Sequence, residues 1–183
     1  MLRRSFLLGL LSAPVPVAAL ALPRDAVAAV PRDANGFHAP DWFRPQTFDL
    51  RRDLAAARAE QKPLVVFWEM VPCIFCDVLH DKALQDPAMR AYVADRFYCV
   101  RYDRQGKQTL FDFNGAERTE RDTSFAHRVL GTPTLEFRTA DLREPIRVQG
   151  LLGYNLLQSS FEYVDERGYE KLGFAAWLRQ RPR

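Results

Sequence analysis

Two cysteines spaced C-x-x-C, in Trp68-Glu69-Met70-Val71-Pro72-Cys73-Ile74-Phe75-Cys76, are the residues of this chain best suited to do chemistry. They follow an apolar run, Leu64 to Trp68, and precede a helix-like stretch. A C-x-x-C pair between strand and helix reads as a redox site whose thiols can close a small disulfide. At a helix start, unpaired N–H groups and the helix dipole favour the Cys73 thiolate. The competing readings are half of a zinc site or a structural staple. Zinc usually takes four Cys or His ligands, and the sequence holds no second pair. Redox exchange therefore leads, with no metal and no cofactor expected beyond the Cys73–Cys76 disulfide.

The expected reaction is thiol–disulfide exchange: Cys73 thiolate attacks a partner disulfide, and Cys76 then attacks Cys73 sulfur to release the reduced partner. A helix start that lowers the Cys73 pKa from about 8.5 to about 7 raises the thiolate fraction at pH 7 roughly 15-fold. A Brønsted slope near 0.45 takes back about fivefold in nucleophilicity, leaving a net gain of about threefold. Activation of Cys73 is thus the smaller effect. The larger one is how far the site favours dithiol over disulfide, because about 30 mV of potential is 1.4 kcal/mol.

Around the pair stand residues with two readings each. Glu69 is a candidate proton relay for Cys76 if it is buried, since burial raises a carboxyl pKa; otherwise it is a solvated surface glutamate. His80 lies one helical turn past Cys76, and reads as a packed or capping histidine ahead of a catalytic base or a copper or zinc ligand. Ile74 and Phe75 form an exposed apolar lip for a partner peptide, or pack against Trp42, Phe43 or a hairpin. Cys99 sits in an apolar strand and reads as a buried, inert thiol.

The elements that must hold these groups follow from the pattern. Asp49 caps a helix running to about Glu60, and Lys62-Pro63 ends it. Leu64 to Trp68 suits a central strand buried on both faces. A helix follows the cysteines to about Gln85, and Asp86-Pro87 opens a second through Ala94. Phe97 to Tyr102 reads as a strand, and Leu110 to Gly115 as a hairpin signal. Ser124 to Leu130 is a short helix capped by Ser124. Leu135-Glu136-Phe137 alternates as a strand, with Ile146-Arg147-Val148 able to pair antiparallel. Asn155 to Val164 and Glu170 to Leu178 close the chain as helices. The expected order, α-β-α-β-α-β-β-α, is a compact layered α/β design.

Composition agrees. Of 183 residues, 48% are apolar and 12% aromatic, enough for a real core and unlike a disordered chain. Residues 1–29 carry two of the three net positive charges, so a nucleic-acid role has no special support. Those residues have signal-peptide anatomy: Arg3-Arg4, an apolar run from Phe6 to Ala21, and small-residue ends at Ala19-Leu20-Ala21 and Ala26-Val27-Ala28. Arg3-Arg4-Ser5-Phe6-Leu7 resembles a twin-arginine export signal, although two arginines also serve as an ordinary basic start. Either route implies a bacterial periplasm. The expected organisation is a leader over 1–29, an exposed linker over 30–47 and one domain over 48–183.

C-x-x-C after a strand, with Thr132-Pro133 before a later strand, resembles the thioredoxin superfamily. The resemblance implies a thioredoxin fold: a central mixed sheet flanked by helices, here with a small hairpin insertion and an extra C-terminal helix. It also implies that Pro133 is cis and sits beside the cysteines, where Thr132-Pro133 offers backbone to an extended substrate strand. Further pieces are Glu69, His80, Asp112-Phe113-Asn114-Gly115, Gly153-Tyr154, Phe161-Glu162-Tyr163-Val164, Gly168-Tyr169 and Phe174. Together they resemble the SoxW-type periplasmic thioredoxins of bacterial sulfur-oxidation (Sox) gene clusters. That likeness implies a reductant, a membrane CcdA/SoxV-type electron donor and a SoxYZ-like carrier as client. Ile74-Phe75 departs from the more usual Pro-Tyr or Gly-Pro pair, and Val71-Pro72 from the more usual Trp or Gly. A copper-delivery or partner-binding module, and a DsbA- or DsbC-like oxidant or isomerase, are the alternative functions.

Overall fold

A computed structural model describes residues 29–181, so the expected leader lies, but for Ala29, outside the described residues. In chain order the elements are α1 (Leu50–Ala59), β1 (Leu64–Glu69), α2 (Ile74–Val78) with a π-helical continuation (Leu79–Ala83), α3 (Pro87–Arg96) and β2 (Tyr98–Asp103). Then come β3 (Thr109–Phe111), β4 (Glu117–Thr119), α4 (Glu120–Ala126), β5 (Thr134–Arg138) and β6 (Arg147–Gln149). The chain closes with α5 (Tyr154–Asp165), a 3-10 turn (Gly168–Glu170) and α6 (Phe174–Arg179).

The main sheet runs β2-β1-β5-β6, with β1 parallel to β2 and antiparallel to β5, and β5 antiparallel to β6. It is the central mixed sheet the resemblance implied, and β3–β4 form the expected separate hairpin. All six residues of β1 are buried, as its run of β-formers with no polar face before Glu69 requires. Alternate residues feed two cores. Val65 and Phe67 pack with Leu79, Met89, Phe97, Phe137 and Phe161, under α2, α3 and α5. Leu64, Val66 and Trp68 pack with Leu50, Leu54, Tyr102 and Leu110, under α1 and the hairpin. The late aromatics are packing, as expected: Phe161 meets Phe97 and Phe137 edge-on at 5.0 and 5.1 Å, and Tyr163 meets Phe174 and Trp177 at 5.2 Å each. Each buried phenyl contributes about 1.5–3 kcal/mol by leaving water.

Asp49 and Asp86 cap α1 and α3 as expected, accepting from Arg51 and Arg52 N–H and from Met89 N–H. The fourth helix differs from expectation. It begins at Glu120 behind Thr119, whose hydroxyl accepts from Asp122 N–H. Ser124 lies inside it, buried, with its hydroxyl donating back to Arg121 carbonyl. Thr119 closes a short strand and opens a helix at once, which hides the cap from a scan for periodicity. The helix expected from Glu170 starts instead at Phe174, behind the 3-10 turn.

The alternation of β5 turns Glu136 away from Leu135 and Phe137 into the second core, where it is fully buried. Its carboxylate accepts from Trp68 Nε1–H at 2.9 Å and from His127 Nδ1 at 3.0 Å, while His127 Nε2 reaches Asp112 at 2.8 Å. Burial alone would lower the His127 pKa, but the hydrogen bonds to Asp112 and Glu136 outweigh it and raise it to about 9. Burial alone would raise that of Glu136, but the bond from His127 and the charges of His127, Arg138 and Arg147 hold it at about 2. The two shifts are largely one interaction seen from each side. The His127 share of stability is complete below its ordinary value of 6.5 and is lost as pH rises through about 9. The Glu136 share is complete above 4.5 and is lost as pH falls through about 2. Urea midpoints should therefore be highest between these limits and decline toward pH 9. His127→Gln should lower stability at pH 6 by on the order of 3 kcal/mol and flatten the alkaline decline. Matching midpoints for variant and wild type from pH 5 to 9 would remove the assignment.

Candidate active site

The cysteine pair sits where β1 hands over to α2. Cys73 is the N-cap of α2, in extended conformation, and its Sγ accepts from Cys76 N–H at 3.1 Å. The two are joined as a disulfide. Cys73 keeps 9% of its surface exposed and Cys76 only 2%, so an incoming sulfur meets Cys73 first. Helix-start N–H groups lie on the side where thiolate charge would develop.

Across from the pair, the Thr132-Pro133 bond is cis, as the resemblance implied. Thr132 Oγ1 stands 3.3 Å from Cys73 Sγ, joining residues 59 positions apart. Pro133 carbonyl accepts from Gly150 N–H at 2.7 Å, so that backbone group is already engaged within the fold. A second cis bond, Val71-Pro72, directly precedes Cys73; no feature of the sequence reading anticipates it.

Ile74 and Phe75 are 72% and 54% exposed. They form an outward apolar lip, while Trp42 and Phe43 contact each other and, through Phe43, Phe67 and His80. Leu130, two residues before Thr132, is also an apolar side chain left 79% exposed. Cys99 is the free cysteine among the described residues and is fully buried, which pushes its thiol pKa far up.

Glu69 ends β1 with 1% exposure, so the solvated alternative does not apply. Its Oε1 lies 2.6 Å from His80 Nε2. His80 falls in the π-helical continuation of α2, where Leu84 N–H reaches back to Leu79 carbonyl; such π-turns are frequent at functional sites. Residues 30–47, expected as an exposed linker, are exposed at Pro31, Arg32, Ala34 and Asn35 but bury Phe37 and His38. Arg32 pairs with Asp77 of α2, and Asp33 with Arg101 of β2. His38 stacks on His80, centroids 4.4 Å apart and planes 14° from parallel. Sequence reasoning did not consider His38 or His127, since each is brought to its partners only by tertiary packing.

His38, Glu69 and His80 offer ligand atoms within 4.8 Å of one another. Histidine binds a metal along the in-plane lone pair of its ring nitrogen. Two rings stacked nearly face to face point those lone pairs along parallel planes, and one ion cannot lie in both. The trio is better suited to holding protons than a cation.

A C-x-x-C disulfide at a helix start, with Cys73 the less buried of the two residues and a cis Thr-Pro loop against it, together define a thiol–disulfide oxidoreductase fold. The chain belongs to the family described as Thioredoxin-like domain, which matches residues 50–165. Among solved structures it is similar to a thioredoxin-fold protein from Helicobacter pylori, at 14% identity and TM-score 0.57 over 65% of this chain and 81% of that one. It is also similar to a thioredoxin from Thermus thermophilus, at 22% identity and TM-score 0.51 over 64% and 84%. A protein described as DsbH oxidoreductase matches at 16% identity and TM-score 0.50 over 82% and 94%. No curated protein sequence is significantly similar to the chain.

The exposure order yields a thiol count. In the oxidised native protein Ellman's reagent should find essentially no reactive thiol. Reduction should expose fast-reacting Cys73, and denaturation of the oxidised form should reveal one further thiol, Cys99. Rapid native labelling of Cys99 would contradict its burial.

Proposed function

We propose that the protein is an exported thiol–disulfide oxidoreductase that reduces disulfides of partner proteins in the periplasm. The observation that carries this reading is the asymmetry of the pair: Cys73, the more accessible of the two at 9% against 2%, lies beside Thr132 Oγ1. Cys73 thiolate attacks one sulfur of the partner disulfide, forming a Cys73–partner disulfide and releasing the other partner sulfur as thiolate. Cys76 loses its proton to Glu69 and attacks Cys73 sulfur. The Cys73–Cys76 bond forms, the Cys73–partner bond breaks, and its electron pair leaves on the partner sulfur. The partner gains two electrons and the enzyme becomes the disulfide. A dithiol donor then restores it.

Ile74, Phe75 and Leu130 give a partner segment apolar contact, and Thr132 and Pro133 shape the groove beside the sulfur. The resemblance of Glu69, His80 and the Gly-Tyr and Phe-x-Tyr-Val tail to SoxW-type proteins supports a client in sulfur oxidation, such as the carrier thiol of a SoxYZ-like protein. The same resemblance supports a CcdA/SoxV-type membrane protein as the electron donor. The leader-like residues 1–29 support export.

Insulin reduction with single variants tests the chemistry. Cys73→Ser should abolish turnover, and Cys76→Ser should stall with the partner held covalently on Cys73. Turnover surviving in Cys73→Ser would sink the mechanism. Equilibration with glutathione sets the direction: a potential near −270 mV fits a reductant, whereas one near −120 mV would make the protein an oxidant.

A further inference from the structure

We propose that His80 is a positioning residue that keeps Glu69 competent as the base for Cys76, the two forming one proton-holding unit closed off by His38. The proposal rests on the exchange reading above. Glu69, His38, Cys73 and Cys76 line one narrow cleft of about 190 Å³, so the buried glutamate and both sulfurs belong to one site. Glu69 is 1% exposed and His80 fully buried. Burial without a hydrogen-bond donor favours the neutral form of a carboxyl group, which cannot accept a proton. His80 supplies the donor at 2.6 Å.

The tautomer follows from the remaining ring nitrogen. His80 Nδ1 is buried with no hydrogen-bond partner. A proton there would be an orphaned donor, costlier than an unused lone pair. The proton therefore sits on Nε2, directed at Glu69, and Nδ1 is bare. With Nε2–H on one carboxylate oxygen, Glu69 keeps its other oxygen free to take one proton, which is what Cys76 must give up before it attacks. When a dithiol donor later reduces the Cys73–Cys76 disulfide, the pair returns that proton to Cys76 sulfur.

His38 keeps the count at one. Its ring lies flat on His80, and its Nε2, also without a partner, points toward Asp81 at 3.6 Å and Asp77 at 3.9 Å. Burial first, and then the neighbouring His80 and Arg32, lower the pKa of His38 in spite of Asp81 and Glu69. His38 thus stays neutral when the pair beneath takes up its proton. Phe43 and Phe67 lie against the His80 ring, with centroids 5.7 and 6.3 Å away. The charged groups facing the two rings are Glu69, Asp77, Asp81 and Arg32, the last paired with Asp77.

The test follows the second step alone, in the full chain. Ellman's reagent caps Cys73 of the reduced protein, and release of the second thionitrobenzoate reports attack by Cys76. Stopped-flow rates are collected from pH 5 to 9. Glu69→Gln should slow this release about 100-fold or more. His80→Phe, which retains a ring between Phe43 and Phe67, should slow this release roughly tenfold at pH 7 and leave a rate–pH profile different from that of wild type. His80→Leu, which also lacks the donor, gives the same reading should the phenylalanine variant not fold. His80→Gln, with an amide N–H for Glu69, should restore most of the rate. A wild-type profile in the folded donorless variants, with Glu69→Gln still slow, would overturn the role of His80. An undiminished rate in Glu69→Gln would overturn the whole unit while leaving exchange intact. Thionitrobenzoate release from Cys73→Ser as fast as from wild type would instead overturn the exchange reading.

Discussion

A carboxylate at the end of a fully buried strand must be given a donor, and much of the surrounding structure serves that need. β1 is central because its first five residues are apolar, and Glu69 is carried into the interior with them. Several kcal/mol stand against burying an uncompensated charge. His80 answers it from a helix that widens into a π-turn, and residues 30–47 cover that histidine with a second ring. The cysteine pair occupies the short stretch between the strand and this helix. The same links that solvate Glu69 therefore also fix the disulfide.

A parallel arrangement lies on the other side of the sheet. Glu136 is buried on β5 and is met by His127, Trp68, Arg138 and Arg147. Here the ring is bonded on both nitrogens and flanked by arginines, so charge is matched in full and the proton is held fast. In the Glu69 cluster one nitrogen on each ring is left without a partner. One buried carboxylate–histidine pair is closed and bears on stability. The other is open, and it is the one beside the sulfurs.

Much of the fold was legible because it is encoded locally. The run Leu64 to Trp68, the caps at Asp49 and Asp86, the Asn114-Gly115 turn and the alternation of Leu135 to Phe137 each act within a few residues. The C-x-x-C pair and Thr132-Pro133 were legible for the same reason, although their 3.3 Å approach is a tertiary fact. The start of α4 was misplaced because Thr119 belongs to a strand and a helix at once. Glu69 and His80 were each noticed alone. They stand eleven positions apart, across a turn and a π-helical step, and no periodic pattern links such a pair. His38 lies farther off still, in a stretch whose prolines suggest a loose connection.

The family match begins at residue 50, whereas His38, Arg32 and Phe43 come before it. The segment that covers the histidine thus precedes the span of the family model, and it is held onto that span by an ion pair to α2 and a backbone bond from Arg44 to Cys99. In modular terms, the span that defines the family and the span that encloses the chemistry have different borders. A graft of residues 50–165 into another protein would carry the sulfurs, the cis loop and Glu69, yet leave His80 open on one face to whatever the new host placed there.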